Sequence, residues 1–171
     1  EVTVPTLTVL CTELFELFMD RNGLREIALS DAADDRIAHA FLKASMPAEF
    51  AGDLRSLVAD VHSPLAIRSS SLLEDALNHP FAGVYGTKMI PNNQVEEDAR
   101  FDNLVEAVKF VYATTFFAES KAYLRSVDLQ VGDERMAVVI QDVVGTYHQD
   151  DFYPHMSGTA QSHNYYPVAH M

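Results

Sequence analysis

Basic residues are scarce in this chain: 12 Lys and Arg stand against 25 Asp and Glu, a formal net charge of −13 over 171 residues. That deficit argues against a general nucleic-acid grip, which needs clustered cations to replace phosphate counterions. It leaves room for a nucleotide, which needs only a few local cations inside an acidic shell. Cysteine is almost absent as well. A single residue, Cys11, excludes an internal disulfide framework and a cysteine zinc centre. With no histidine or basic residue close in sequence, it reads as a buried structural thiol. No apolar run approaches the roughly 20 residues that span a bilayer, so no membrane partner is expected. The opening Glu1, Val2, Thr3, Val4 and Pro5 lack the positive n-region and apolar stretch of a signal peptide, and a cytoplasmic location is expected. A Walker-type glycine–lysine motif is missing too. The remainder, 48% apolar and 22% charged, is an ordinary globular composition of one domain or parts of two. The absence of an initiating methionine, and the ending Val168, Ala169, His170, Met171, suggest a piece of something longer.

The pattern along the chain predicts an α+β fold, with helices packed on a mixed or antiparallel sheet. Residues 2–10 alternate loosely and read as a short strand. Thr12 is the expected N-cap of a helix presenting Leu14, Phe15, Phe18 and Met19 and closed by Asn22 and Gly23. Ser30 and Asp31 should start a second helix with Ile37, Phe41 and Leu42 on one face. Pro47 fits the first turn of a third, where Phe50, Leu54, Leu57, Val58 and Val61 form a stripe. Residues 65–67 read as a buried strand and 84–90 as another, followed by a turn at Pro91, Asn92 and Asn93. A longer helix carries Phe101, Leu104, Val105, Val108 and Val111, with Glu96, Glu97 and Asp98 expected to complement its N-terminal dipole and a magnesium role as the weaker reading. A further helix is expected over 118–127, and one more strand over 157–162. Residues 136–144 form the most apolar strand, expected to be central and covered on both faces.

The chemistry concentrates in two short segments. Residues 65–75 deliver one arginine and three hydroxyls: Arg68, Ser69, Ser70 and Ser71. A dozen residues later come Ala82 and Gly83, then Gly86 and Thr87. Arginine is always charged and presents a planar donor fork to phosphate, serines add short donors, and glycine lets backbone N–H groups approach a ligand. Placed where the strand 65–67 runs out, the Arg68 guanidinium should emerge at a sheet end. The competing reading is an exposed loop in which Arg68 pairs with Glu74 or Asp75, and spacing alone favours it.

The residue string itself, Ala66-Ile67-Arg68-Ser69-Ser70-Ser71-Leu72-Leu73-Glu74-Asp75 with Phe81-Ala82-Gly83 and Thr87, resembles the ATP-binding signature of the phosphoenolpyruvate synthase and pyruvate phosphate dikinase family. Pro80 stands where that family usually has serine. Weaker likenesses flank it in order: the opening strand and helix, the helix of residues 101–113, and the strand Ala137-Val138-Val139-Ile140-Gln141-Asp142-Val143-Val144, which is similar to the family's hinge strand. The resemblance implies the first part of an ATP-grasp domain over residues 1–144, with the hinge and the start of a second subdomain over 145–171. It implies a parent enzyme that passes a phosphoryl group from ATP, through a phosphohistidine on another domain, to pyruvate or a similar acceptor. It implies ATP contacts at Arg68, Ser69, Gly83 and Thr87, and Gln141 near adenine; with the residues alone, Gln141 is equally a polar residue at a strand's edge. The family's Gly-Gly-Lys segment, magnesium ligands and carrier histidine would lie outside this chain. The fragment alone should therefore not turn over, and its partners are ATP and the carrier domain. A degenerate, non-catalytic regulatory or protein-binding domain is the alternative.

Four histidines, His148, His155, His163 and His170, gather near the end with Asp150 and Asp151. Their spacing of seven or eight is not that of a helical metal site, so a solvated loop and hairpin is the expected role, with a metal site as the lesser reading. Tyr147, Phe152, Tyr153, Tyr165 and Tyr166 are expected to cover the joint to the second subdomain; left bare, they would promote self-association.

Overall fold

A computed structural model describes residues 3–71, 83–158, 160 and 162. Four strands, β1 (Leu7–Leu10), β2 (Leu65–Ser70), β3 (Thr87–Ile90) and β4 (Ala137–Asp142), form one sheet in the order β1-β4-β2-β3. Every pairing is antiparallel. The α+β expectation holds, and β4 is central. Its cover is one-sided, however: Val138 and Ile140 are buried, whereas Val139 and Gln141 on the other face are only half-buried.

Among the described residues there are six α-helices, α1 (Thr12–Arg21), α2 (Arg25–Leu29), α3 (Asp34–Lys43), α4 (Ala48–Asp60), α5 (Glu97–Thr114) and α6 (Ala118–Ser126). The long α5 lies against β2 and β3 and is flanked by α3 and α4. Aromatic rings join these layers. Phe15 meets Tyr112 edge-on at 5.1 Å, and Phe18 packs against both Tyr112 and Phe41. All four are fully buried, each ring adding contact energy beyond the apolar area it removes from water.

Several boundaries depart from the sequence pattern. Cys11, not Thr12, is the N-cap of α1, and its thiol is exposed rather than buried. Asn22 and Gly23 do close that helix: Gly23 has φ of 60°, and Leu24 N–H donates to the Met19 carbonyl at 3.1 Å, a Schellman closure. Ser30 ends the short α2 instead of opening the next helix, because its hydroxyl donates back to the Ile27 carbonyl at 2.7 Å. Pro47 is the N-cap of α4. Residues 83–86 form a turn, so β3 starts only at Thr87. The described residues of 157–162 are not in a strand. Beyond β4, β5 (Thr146–His148) and β6 (Asp151–Tyr153) pair as a small hairpin.

The hydroxyl of Tyr112 is buried with no hydrogen-bond partner among the described residues, and burial pushes its pKa well above the ordinary 10.0. In the unfolded chain the phenol ionises near that ordinary value; in the folded chain it stays protonated. The folded state thus holds the extra proton above pH 10, and the stability contributed by Tyr112 is lost as pH rises from there. Tyr112→Phe should leave stability at pH 7 unchanged or raised by about 1 kcal/mol, since an unsatisfied buried donor is removed. Its alkaline unfolding should begin at higher pH. Urea unfolding of both proteins across the alkaline range checks this, and parallel pH profiles would contradict it.

Candidate functional site

Strand pairing brings the sequence-predicted residues onto one open face. Arg68 on β2 lies directly opposite Thr87 on β3 and Val139 on β4, and Val139 lies opposite Val9 on β1. The next row of the same face runs Leu7, Gln141, Ala66, Met89. Gln141 is therefore a diagonal cross-strand neighbour of Arg68, within reach of long side chains. Leu7, Val9 and Met89 are exposed at 46%, 49% and 59%. This face is an apolar floor carrying one cation, flanked by a hydroxyl and an amide.

Arg68 is exposed, and among the described residues no carboxylate pairs with it. The pairing with Glu74 or Asp75 considered from the sequence lies outside the described residues. The strand register puts no acidic residue on this face of the four strands. In a chain of formal charge −13, no described carboxylate occupies the donor fork of this guanidinium, a group suited to an anion. Arg68 does not sit at a sheet end, as the sequence pattern suggested. The strand continues to Ser70, so Arg68 stands in mid-strand and projects from the face.

That extension decides which serine accompanies it. Side chains alternate along a strand. Ser69, opposite the buried Val138, belongs to the helix-covered face, whereas Ser70, opposite Ala137, shares the face of Arg68. Ser71 is buried and donates its hydroxyl to the carboxylate of Glu134, itself only 8% exposed. Glu134 was not singled out from sequence, and Ser70 was named there as one of three hydroxyls, with Ser69 preferred as the contact. Strict alternation counted from Arg68 would have preferred Ser70; nothing local marks Glu134.

Gly83 adopts φ of 85°, in the left-handed region that favours glycine, and a Cβ there would meet no atom within 4 Å. Its requirement is one of backbone conformation. At Gly86 it is one of space, because a Cβ would stand 2.7 Å from Cγ2 of Thr114. The sequence placed Gly86 in the phosphate-loop segment, and its position directly before a strand is the mark of this close backbone approach.

The hairpin after β4 gathers aromatic rings. His148 stacks on Tyr153 at 4.1 Å, and His155 meets His148 edge-on at 5.6 Å. Tyr147 and Tyr153 are about half exposed, at 54% and 49%. His163, His170, Tyr165 and Tyr166 lie outside the described residues. Among the described residues, no group of three or more His, Cys, Asp or Glu side chains is placed to hold a metal ion, and no helix is long and apolar enough to cross a membrane.

An open sheet face with an exposed arginine, a threonine opposite it and a left-handed glycine turn beside it suits a phosphate-bearing ligand, and its apolar floor suits a flat ring. No curated protein matches the chain. A comparison with known families matches residues 1–169 to the pyruvate phosphate dikinase AMP/ATP-binding domain. The match takes in β2, β3, β4 and the turn that carries Gly83, the elements that build the open face, and the chain belongs to that nucleotide-binding family.

Proposed function

We propose that the open face of the sheet binds ATP in a phosphoenolpyruvate synthase or pyruvate phosphate dikinase-like phosphotransferase. The Arg68 guanidinium, with no carboxylate partner among the described residues and no acidic residue on this face of the four strands, is the observation that carries this reading. Arg68 and Thr87 hold phosphate oxygens, and the backbone around Gly83 covers them. Gln141 lies near adenine, with the backbone of 142–144 facing the base and the apolar side chains of β1 and β4 beneath it. Ser69 contributes through its main chain, since its side chain belongs to the other face.

In this reading residues 1–144 are the first subdomain, and 145–171 are the hinge and the start of a second. Magnesium ligands come from outside these residues. The parent protein passes a phosphoryl group from ATP, via a phosphohistidine on a separate domain, to pyruvate or a similar acceptor. Positioning and charge stabilisation are the protein's share of such chemistry, and this chain supplies one cation for it.

Titration of the full-length gene product with magnesium and ATP, followed by incubation with labelled ATP and pyruvate, tests the proposal. Saturable binding with acid-labile label on protein histidine is expected. Binding without any label transfer would indicate a degenerate, non-catalytic domain. Absence of binding would overturn the nucleotide site.

A further inference from the structure

The turn 83–87 carries two of the proposed phosphate contacts, and it is held from beneath. Gly86 N–H donates to Oγ1 of Thr114 at 3.0 Å, and the Thr114 hydroxyl donates in turn to the Val111 carbonyl at 2.7 Å. One hydroxyl thus accepts from the turn and donates to its own helix, which fixes the direction of both bonds. Thr114 is the last residue of α5 and is only 4% exposed. Its carbonyl accepts from the hydroxyl of Ser120 in α6 at 2.7 Å, so the residue is held on its main-chain side as well. The fit on the turn side is tight: a Cβ on Gly86 would stand 2.7 Å from Cγ2 and 3.2 Å from Oγ1 of Thr114. Tyr85, buried at 5% exposure, anchors the same turn. Directly after Gly86, Thr87 enters β3 opposite Arg68.

We propose that Thr114 is a positioning residue for the nucleotide site: through Gly86 it sets the height of the turn 83–87 above the sheet, and with it the separation of the Thr87 hydroxyl and the Gly83 backbone from Arg68. The proposal rests on the ATP reading of the open face. Thr114 touches no ligand; it lies beneath the turn, on the side of α5. The rigid helix end, not the exposed turn itself, defines the geometry that phosphate oxygens meet. A site built this way depends on a buried hydroxyl with a free rotor limited to one direction, which a valine of the same shape cannot replace.

The test compares ATP affinity and melting temperature in the full-length gene product for Thr114→Val, Thr114→Ser, Gly86→Ala and the double variant Gly86→Ala/Thr114→Ser. Thr114→Val keeps the shape and removes the acceptor; ATP binding should weaken about tenfold, the worth of one buried hydrogen bond. Thr114→Ser keeps the hydroxyl and should bind as the unmutated protein does. Gly86→Ala should weaken binding through the clash with Cγ2, and adding Thr114→Ser, which removes that methyl, should recover much of the loss. This rescue carries the test even where Thr114→Val does not fold. A purely structural role would lower the melting temperature of Thr114→Val and leave the ATP affinity of the folded protein intact, and that result would overturn the proposal. So would a Gly86→Ala variant that the serine does not rescue. If the unmutated protein binds no ATP, the nucleotide reading fails and this proposal fails with it; unchanged affinity in the variants of a protein that does bind overturns the positioning role alone.

Discussion

Arg68→Ala is expected to weaken ATP binding by the full-length gene product about a hundredfold while leaving its stability almost unchanged. The first half follows from losing a bidentate, charge-assisted contact: two such bonds at 1.5–3 kcal/mol each, less what water restores at an exposed site, amount to roughly 3 kcal/mol. The second half follows from position. Arg68 projects from an open face and has no ion-pair partner among the described residues, so its removal breaks nothing that holds the fold. Exposed substitutions of this kind stay within about 0.5 kcal/mol. Arg68→Lys should recover part of the affinity, since it restores charge but not the planar fork. Isothermal titration beside a thermal melt reads both quantities. Equal affinity in the alanine variant would remove Arg68 from the site.

The opposite pattern is expected at Arg100, where substitution should cost about 3 kcal/mol of stability without reaching the ligand. This arginine is only 4% exposed, inside the first turns of α5. It donates through Nε and Nη2 to the Val58 carbonyl at 3.3 and 3.0 Å, and through Nη1 to the carbonyls of Gln94 and Val95 at 2.8 and 3.3 Å. Val58 lies in the final turn of α4, where carbonyls have no partner within their own helix. Arg100 therefore acts as a C-terminal cap supplied by a different helix, and it joins α4 to the segment leading into α5. Arg100→Met keeps the aliphatic stem but orphans those carbonyls. By contrast, Arg55→Met should cost no more than about 1 kcal/mol, although Arg55 pairs with Asp98 at 2.6 Å, because both side chains are largely solvated. Urea unfolding of the two variants separates the cases; similar losses would show that Arg100 is no more structural than a surface arginine.

Arg100 also illustrates where the sequence stopped being legible. An arginine in a helix reads as solvated, and no periodicity announces one that caps another helix. The long amphipathic segments were readable because burial imposes their period: Phe15 and Phe18, Ile37 and Phe41, Leu54 and Val58 all emerged as core. Short elements were not. The five-residue α2 is too brief to show a stripe, and Ser30 could equally start or stop a helix. The resemblance to the family singled out Arg68, Gly83, Thr87 and Gln141, but not how they face. Strand β2 outlasts its apolar part because β4 continues to pair with it through Ser70, and that pairing is tertiary. Its consequence, Ser69 on one face and Ser70 on the other, therefore lay beyond a local reading. Gly86 and Thr114 depend on the docking of a turn onto a helix end far along the chain, which likewise leaves no local trace.

The strand order has a consequence for how the chain acquires its shape. β4 stands between β1 and β2, so among the described residues the sheet neighbour of β1 is the strand made last. During synthesis β2 and β3 can pair as soon as both are available, and α1, α3 and α5 can collapse around their aromatic rings. Residues 7–10 gain their pairing to β4 only once residues 137–142 have been made and inserted beside β2. Closing so long a loop is entropically slow and leaves an unpaired β-forming segment open to wrong partners. A nascent chain stalled before residue 137 would lack the strand that joins β1 to β2, and would present a half-built sheet for chaperones to shield.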